Sequence, residues 1–218
     1  MNPRRLPPFL LAAAAFALLQ GCATAPKKDY SKFRAADPRS ILVVPVVNNT
    51  TSVEAPGLFL STLPIPVAER GYYVFPVNMV KRVLEDEGLG DPDLVRTADT
   101  TRLCDLFGAD AVLYVSIETW TAQYMLIDTR TSVEFDYVMK DGKTGDTIWK
   151  EHQRVDQSSS DGARDPISPF VMAIIAKAYP NYAGLARSAN YHAFWWPGVG
   201  IPPGPYHNLY GKDPAYGN

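Results

Sequence analysis

Ile41-Leu42-Val43-Val44-Pro45-Val46-Val47 is apolar throughout, on both of the faces between which a strand alternates. Such a run belongs to a strand covered on two sides, so an inner strand of a helix-clad sheet is expected. Pro45 lacks a ladder N–H, which predicts a bulge or a strand end beside it. The stretch Gly108-Ala109-Asp110-Ala111-Val112-Leu113-Tyr114-Val115-Ser116-Ile117 repeats the signal, as a helix stop followed by a second apolar strand.

Between these runs the periodicity is helical. Residues Pro56 to Arg70 place Leu58, Phe59, Leu63 and Val67 at helical spacing but carry Pro64 and Pro66, which predicts a broken helix ending at Gly71. A short strand follows over Tyr72 to Phe75, then a helix outlined by Val77, Val80, Val83 and Leu84 and closed by Gly88. A loop through Pro92 leads to a helix over 100–107, in which Cys104 reads as a small buried hydrophobe. The polar loop Asn48 to Ser52 falls at the carboxyl end of the first strand, where open α/β sheets bind ligands, but these are also ordinary turn residues, and a turn is preferred.

Beyond Ile117 the pattern turns antiparallel. From Ile127 to Met139 one face holds Ile127, Val133, Phe135, Tyr137 and Met139, and the other Asp128, Arg130, Ser132, Glu134 and Asp136. The turn Asp141 to Gly145 returns the chain through Thr147 to Val155 as a hairpin. A last helix is expected from Ser168 through Tyr179, with Pro169 at its first position. The expected fold is therefore α/β, an α+β mixed sheet with helices packed on it and an antiparallel hairpin, spanning residues 37–189.

Upstream, Arg4 and Arg5 precede an apolar run from Phe9 to Leu19 that is too short to span a bilayer, which takes about 20 apolar residues. The run ends in Leu19-Gln20-Gly21-Cys22, which reads as a bacterial lipobox. Cleavage between Gly21 and Cys22 would remove residues 1–21 as a signal peptide, and acyl chains such as palmitate would anchor Cys22 in the membrane. Residues 22–36 then read as a lipidated tether, and Ala23 beside Cys22, in place of the Asp that retains lipoproteins in the inner membrane, points to the periplasmic face of the outer membrane. Cleavage leaves 197 residues with 19 basic and 23 acidic side chains, a mildly acidic balance without a Lys/Arg cluster that argues against nucleic acid. With Cys22 acylated, Cys104 has no partner for an internal disulfide.

No phosphate-binding glycine loop, paired zinc-type histidines, nucleophile elbow or Cys/His cluster occurs, so no catalytic residue, metal ligand or cofactor is assigned. Asp128, Glu134 and Asp136 could serve acid–base chemistry in an envelope hydrolase, but a solvated sheet face interleaved with Arg130 explains them more simply. His152, between Lys150 and Arg154 at period two, is expected to point to solvent. Residues 190–218 form a Pro/Gly/aromatic tail in which Trp195, Trp196, Tyr206, Tyr210 and Tyr216 are candidate partner-binding rings, with cover of the domain's own sheet or helices preferred for Phe194 to Trp196 and partner binding for Tyr206 to Tyr216; cutting after Gly200 is expected to move the melting temperature by only a degree or two.

Val44-Pro45, Asn48-Asn49-Thr50, Gly71-Tyr72-Tyr73-Val74-Phe75-Pro76, Gly108 to Tyr114 and Asp141 to Trp149, in that order, make the chain resemble a family of bacterial lipoproteins of unknown function over roughly residues 16–190. The resemblance implies a domain similar to the amino-terminal domain of TolB, a CsgG-like lipoprotein as neighbour or partner, and a non-enzymatic, accessory role in envelope secretion or assembly, with homo-oligomerisation possible. It supplies no catalytic residues. Unlike CsgG-type pore proteins, this chain has a hairpin whose outer face is charged and unsuited to lipid. The peptidoglycan-synthase activators of the LpoB type share the fold but carry a longer tether; activation of such a synthase is the alternative accessory role.

Overall fold

The computed structural model describes residues 28–124, 129–158 and 181–216. A mixed sheet of six strands organises it: β1 (Ser40–Val43), β2 (Val47–Asn48), β3 (Tyr73–Val74), β4 (Ala111–Tyr124), β5 (Thr129–Asp141) and β6 (Thr147–Ser158). The order is β3-β1-β4-β5-β6, with β2 also pairing β4. β1, β2 and β3 are parallel to their neighbours, whereas β4-β5-β6 form an antiparallel meander. The run from Ile41 is thus an inner strand, interrupted at Pro45 as its missing N–H predicts.

Both faces of β1 are covered because successive residues belong to different cores. Ile41 and Val43 pack with Leu113, Phe135, Tyr137 and Phe194 in one cluster, and Leu42 and Val44 with Val112 and Tyr114 in the other. The first cluster lies beneath α1 (Ser31–Ala36), α2 (Ala55–Thr62), α3 (Pro64–Glu69) and α7 (Tyr182–Trp195). The second lies beneath α4 (Val77–Asp86), α5 (Pro92–Thr97) and α6 (Thr100–Phe107). Beyond the reach of the second cluster, which ends at Tyr114 and Val138, the antiparallel half is dressed on one face only: Val133, Phe135, Tyr137 and Met139 are fully buried, while Arg130 and Asp136 are exposed on the other.

Four differences from the sequence-based expectation have physical causes. Residues 28–36, expected as tether, are folded: Tyr30, at the N-cap of α1, and Phe33 within it bury their rings, and the Tyr30 hydroxyl donates to the Gly200 carbonyl at 2.7 Å. The loop through Pro92 contains α5, which Asp91 caps by accepting from the Asp93 N–H, with Pro92 in the first turn. Ser132, assigned to the wet face, is buried, and its hydroxyl donates to Asp156. Finally, α7 runs across the expected boundary at residue 190, and the chain after it is built into the domain. There Gly204 donates to the Arg70 carbonyl at 2.8 Å and Tyr206 to that of Gly71 at 3.1 Å. A β-carbon on Gly204 would stand 2.4 Å from the Gly71 oxygen, so this approach requires glycine. Cys22, Gly21, Ile127, Asp128 and the helix expected from Ser168 lie outside the described residues.

Candidate functional site

The strand directions give the domain two distinct ends. At the upper end, beyond the carboxyl ends of the parallel strands, a groove of about 620 Å³ opens between α2, α4 and α5, lined by Val46, Asn48, Pro56, Leu60, Val77 and Lys81 among others. The Asn48 to Ser52 loop beside it is a turn tied to β4, where Asn49 donates from its side chain to Glu118 and from its N–H to the Ile117 carbonyl. Asn48 donates to the Ser52 carbonyl and accepts from the Thr50 N–H and hydroxyl, which leaves its polar atoms committed to the fold, as expected.

The wet face of β5 and β6 carries the charged cluster considered for hydrolysis. His152 bridges two carboxylates, with Nδ1 2.8 Å from Asp136 and Nε2 3.3 Å from Glu134. Arg154 pairs with Glu134 at 3.0 Å and with Asp156 at 3.2 Å. The Ser132 hydroxyl is given to Asp156 rather than to His152, and together with Arg154 it holds that carboxyl below the usual range. No base is aimed at a nucleophile here. The cluster is an open lattice of ion pairs on a solvated sheet, a device that also keeps strands from pairing with other chains. Among the described residues, no group of three or more His, Cys, Asp or Glu could hold a metal ion. Cys104 is buried, and burial pushes its thiol up to about 12, far from nucleophilic at neutral pH.

At the lower end, where β1, β3 and β6 begin, the amino- and carboxyl-terminal segments meet. Lys28 bonds to the Glu151 carboxylate and to the Val199 carbonyl, and stands 4.9 Å over the Trp149 ring. Arg70, 4 % exposed, donates from Nε to the Ile201 carbonyl at 2.9 Å, approaches Asp213 to 3.6 Å, and lies 5.1 Å from the centres of both the Trp195 and Tyr216 rings. Of the five candidate rings, this arrangement uses two internally. Trp195 donates to the Pro66 carbonyl, and Tyr216 is 6 % exposed and edge-on to Tyr30. Trp196 (58 % exposed), Tyr206 (71 %) and Tyr210 (41 %) remain on the surface. A cavity of about 330 Å³ beneath Tyr210 is lined by Phe33, Arg34, Tyr72 and Pro203 among others.

Sequence reasoning missed Lys28, Arg70 and Asn190. Asn190 is wholly buried in α7, accepting from the Tyr137 hydroxyl at 2.8 Å and donating to Thr62 at 3.0 Å. A polar residue on the apolar stripe of a helix is its only signal, and the last helix expected from sequence ends at Tyr179, before α7 begins.

Comparison with known proteins gives one family. The model described as "Putative lipoprotein GNA1162-like" matches residues 28–187. The curated "Putative lipoprotein NMB1124/NMB1162" of Neisseria meningitidis serogroup B is 29% identical over 170 residues, covering 77% of this chain and 79% of that protein. The crystal structure of lipoprotein GNA1162 from Neisseria meningitidis aligns with a TM-score of 0.54 and 26% identity, over 66% of this chain and 99% of that one. The carboxyl-terminal domain of LpoB from Salmonella enterica is more distant, with a TM-score of 0.38 and 22% identity over 59% of this chain and 93% of that domain.

Proposed function

The chain belongs to the GNA1162-like lipoprotein family, and from that premise we propose that it is a lipid-anchored, non-catalytic accessory subunit of a bacterial envelope assembly. The observation that carries this reading is the junction of anchor and domain: the family match begins at Lys28, six residues after Cys22 of the Leu19-Gln20-Gly21-Cys22 sequence. Among the described residues no helix is long and apolar enough to cross a membrane, so on this reading acyl chains on Cys22 hold the protein. The committed ion pairs of the sheet face and the high pKa of Cys104 support a binding role over hydrolysis.

The finer proposal is that the partner is a CsgG-like lipoprotein and the site is the periplasmic face of the outer membrane. Support comes from the order of the motifs and from Ala23 beside the anchor. Intact-mass analysis of the membrane-extracted protein should find the acylated chain beginning at Cys22. Crosslinking in intact cells followed by detergent extraction should recover a second envelope protein with it; recovery of the chain alone would overturn the accessory role. Membrane fractionation should move Ala23→Asp to the inner membrane while the wild type stays in the outer one.

A further inference from the structure

The lower end of the sheet, where the anchor enters, is also where exposed rings gather. We propose that this end is a bilayer-docking face, with Trp196, Tyr206, Leu209 and Tyr210 seated in the headgroup region of the membrane that holds Cys22. The inference rests on the lipid-anchor reading above and adds to it an orientation and a second, apolar contact with lipid.

The length of chain outside the structure limits what this face can meet. Lys28 is fixed to Glu151, Val199 and Trp149, so only the six steps from Cys22 to Lys28 are left as a leash, about 20 Å when fully extended. A domain of this size is about 40 Å across, from a radius of gyration of about 16 Å. The entry point is therefore held within about half a domain diameter of the lipid. The upper groove, at the opposite ends of the strands, is directed away from it.

The tail brings its rings to the same end. α7 starts with Tyr182 stacked on Trp120, far along β4, and ends with Phe194 stacked on Trp149, at the start of β6. The chain that leaves α7 is then tied to the lower end at successive points. The Val199 carbonyl accepts from Lys28 and from the Trp149 indole, the Gly204 and Tyr206 N–H groups bond to Arg70 and Gly71, and the Tyr210 hydroxyl donates to Asp37. Between these ties Trp196, Tyr206, Leu209 and Tyr210 stay 41–71 % exposed.

Tryptophan and tyrosine favour the membrane–water interface, because one end of each ring system is apolar and the other can remain wet. Here the rings are already ordered by hydrogen bonds and by Pro197, Pro202, Pro203 and Pro205, so little freedom is lost when they dock. Lys28 is paired with Glu151, Lys32 with Asp146 and Arg70 with Asp213, whereas Arg39 and Lys212 are exposed beside Tyr210 and add an attraction to anionic headgroups that salt screens. The apolar contact of the rings should persist at high salt.

The test uses the mature acylated chain in vesicles of phosphatidylethanolamine and phosphatidylglycerol with brominated acyl chains. Tryptophan emission should fall relative to unbrominated vesicles, and the fall should persist at high salt. Trp196→Phe should abolish most of that fall, and Tyr206→Ala with Leu209→Ala should reduce it, all with unchanged circular dichroism. An acylated sample whose emission is not quenched, or is quenched equally in Trp196→Phe, overturns the docking while leaving the anchor in place. A sample whose intact mass shows no acyl group on Cys22 overturns the anchor reading and the docking with it. A photocrosslinker at Tyr206 that captures a periplasmic protein in cells, and no lipid, would assign the face to a protein partner and overturn the proposal.

Discussion

Arg70 donates from Nε to the carbonyl oxygen of Ile201 at 2.9 Å, a buried bond between the end of α3 and a tail 131 residues further along the chain. Cutting after Gly200 would remove this acceptor, Asp213 and the Tyr216 ring together, with loss of a charge-assisted hydrogen bond that contributes about 1.5–3 kcal/mol. Ile201 is completely buried, and its loss adds about 1.5–3 kcal/mol. The truncated protein should therefore melt at least about 6 °C lower, in contrast to the shift of a degree or two expected from sequence. Arg70→Ala should reproduce much of the loss. A truncation that leaves the calorimetric midpoint in place would show the tail to be dispensable.

The parts of the fold that could be read from sequence are those where periodicity alone decides the outcome. Alternation of Ile41 and Val43 against Leu42 and Val44 predicts two cores, and two cores form. The alternation from Val133 to Met139 predicts one dry face, and that face is dry. The parts that could not be read depend on contacts between residues distant in sequence. Lys28 and Val199 are 171 residues apart, and nothing in Lys27-Lys28-Asp29-Tyr30 says that a carbonyl and an indole await it. The tail rich in proline and glycine lacks regular period for the same reason that it folds: its backbone is held by Arg70, Gly71 and Phe194 rather than by its own helix or strand. Among the candidate rings, sequence could not separate Trp195 from Trp196, because their difference is which side of one helix end faces Pro66.

Asn190 links α7 to both the sheet and α2 through Tyr137 and Thr62, and none of the three side chains reaches water freely. Replacing it by Leu keeps the volume but strands the buried Tyr137 hydroxyl, at a cost of about 1–3 kcal/mol, while the Thr62 hydroxyl still donates to the Phe59 carbonyl. Asn190→Leu should lower stability by about 1–3 kcal/mol in urea unfolding. The double variant Asn190→Leu with Tyr137→Phe should recover part of it, because the stranded hydroxyl is gone. A double variant no more stable than Asn190→Leu would show that the Tyr137 bond contributes nothing.

Glu134→Gln with Asp136→Asn removes both carboxylate partners of His152. Exposed pairs of this kind contribute about 0–1 kcal/mol, so the melting temperature should move by no more than about 3 °C. Envelope function should persist, as measured by complementation of a deletion strain. Loss of function in a variant that still folds would instead favour a hydrolase built on this face.

The last prediction concerns alkaline pH. Burial raises the hydroxyl pKa values of Tyr30, Tyr72 and Tyr137 above the usual value, and raises the Cys104 thiol to about 12. In the unfolded chain tyrosine loses its proton near pH 10, at which point the folded protein still holds it. The native state then binds more protons, so stability is fully present below about pH 9 and falls as pH rises through and beyond 10. Lys28 acts in the opposite sense, because burial lowers its pKa against the pull of Glu151, but it is a single group against four. Phenolate absorbance of the twelve tyrosines should accordingly rise in two stages. The accessible rings should ionise reversibly first, and Tyr30, Tyr72 and Tyr137 only together with the loss of circular dichroism. A single reversible stage that ionises all twelve with the secondary structure intact would mean that these three hydroxyls are open to water.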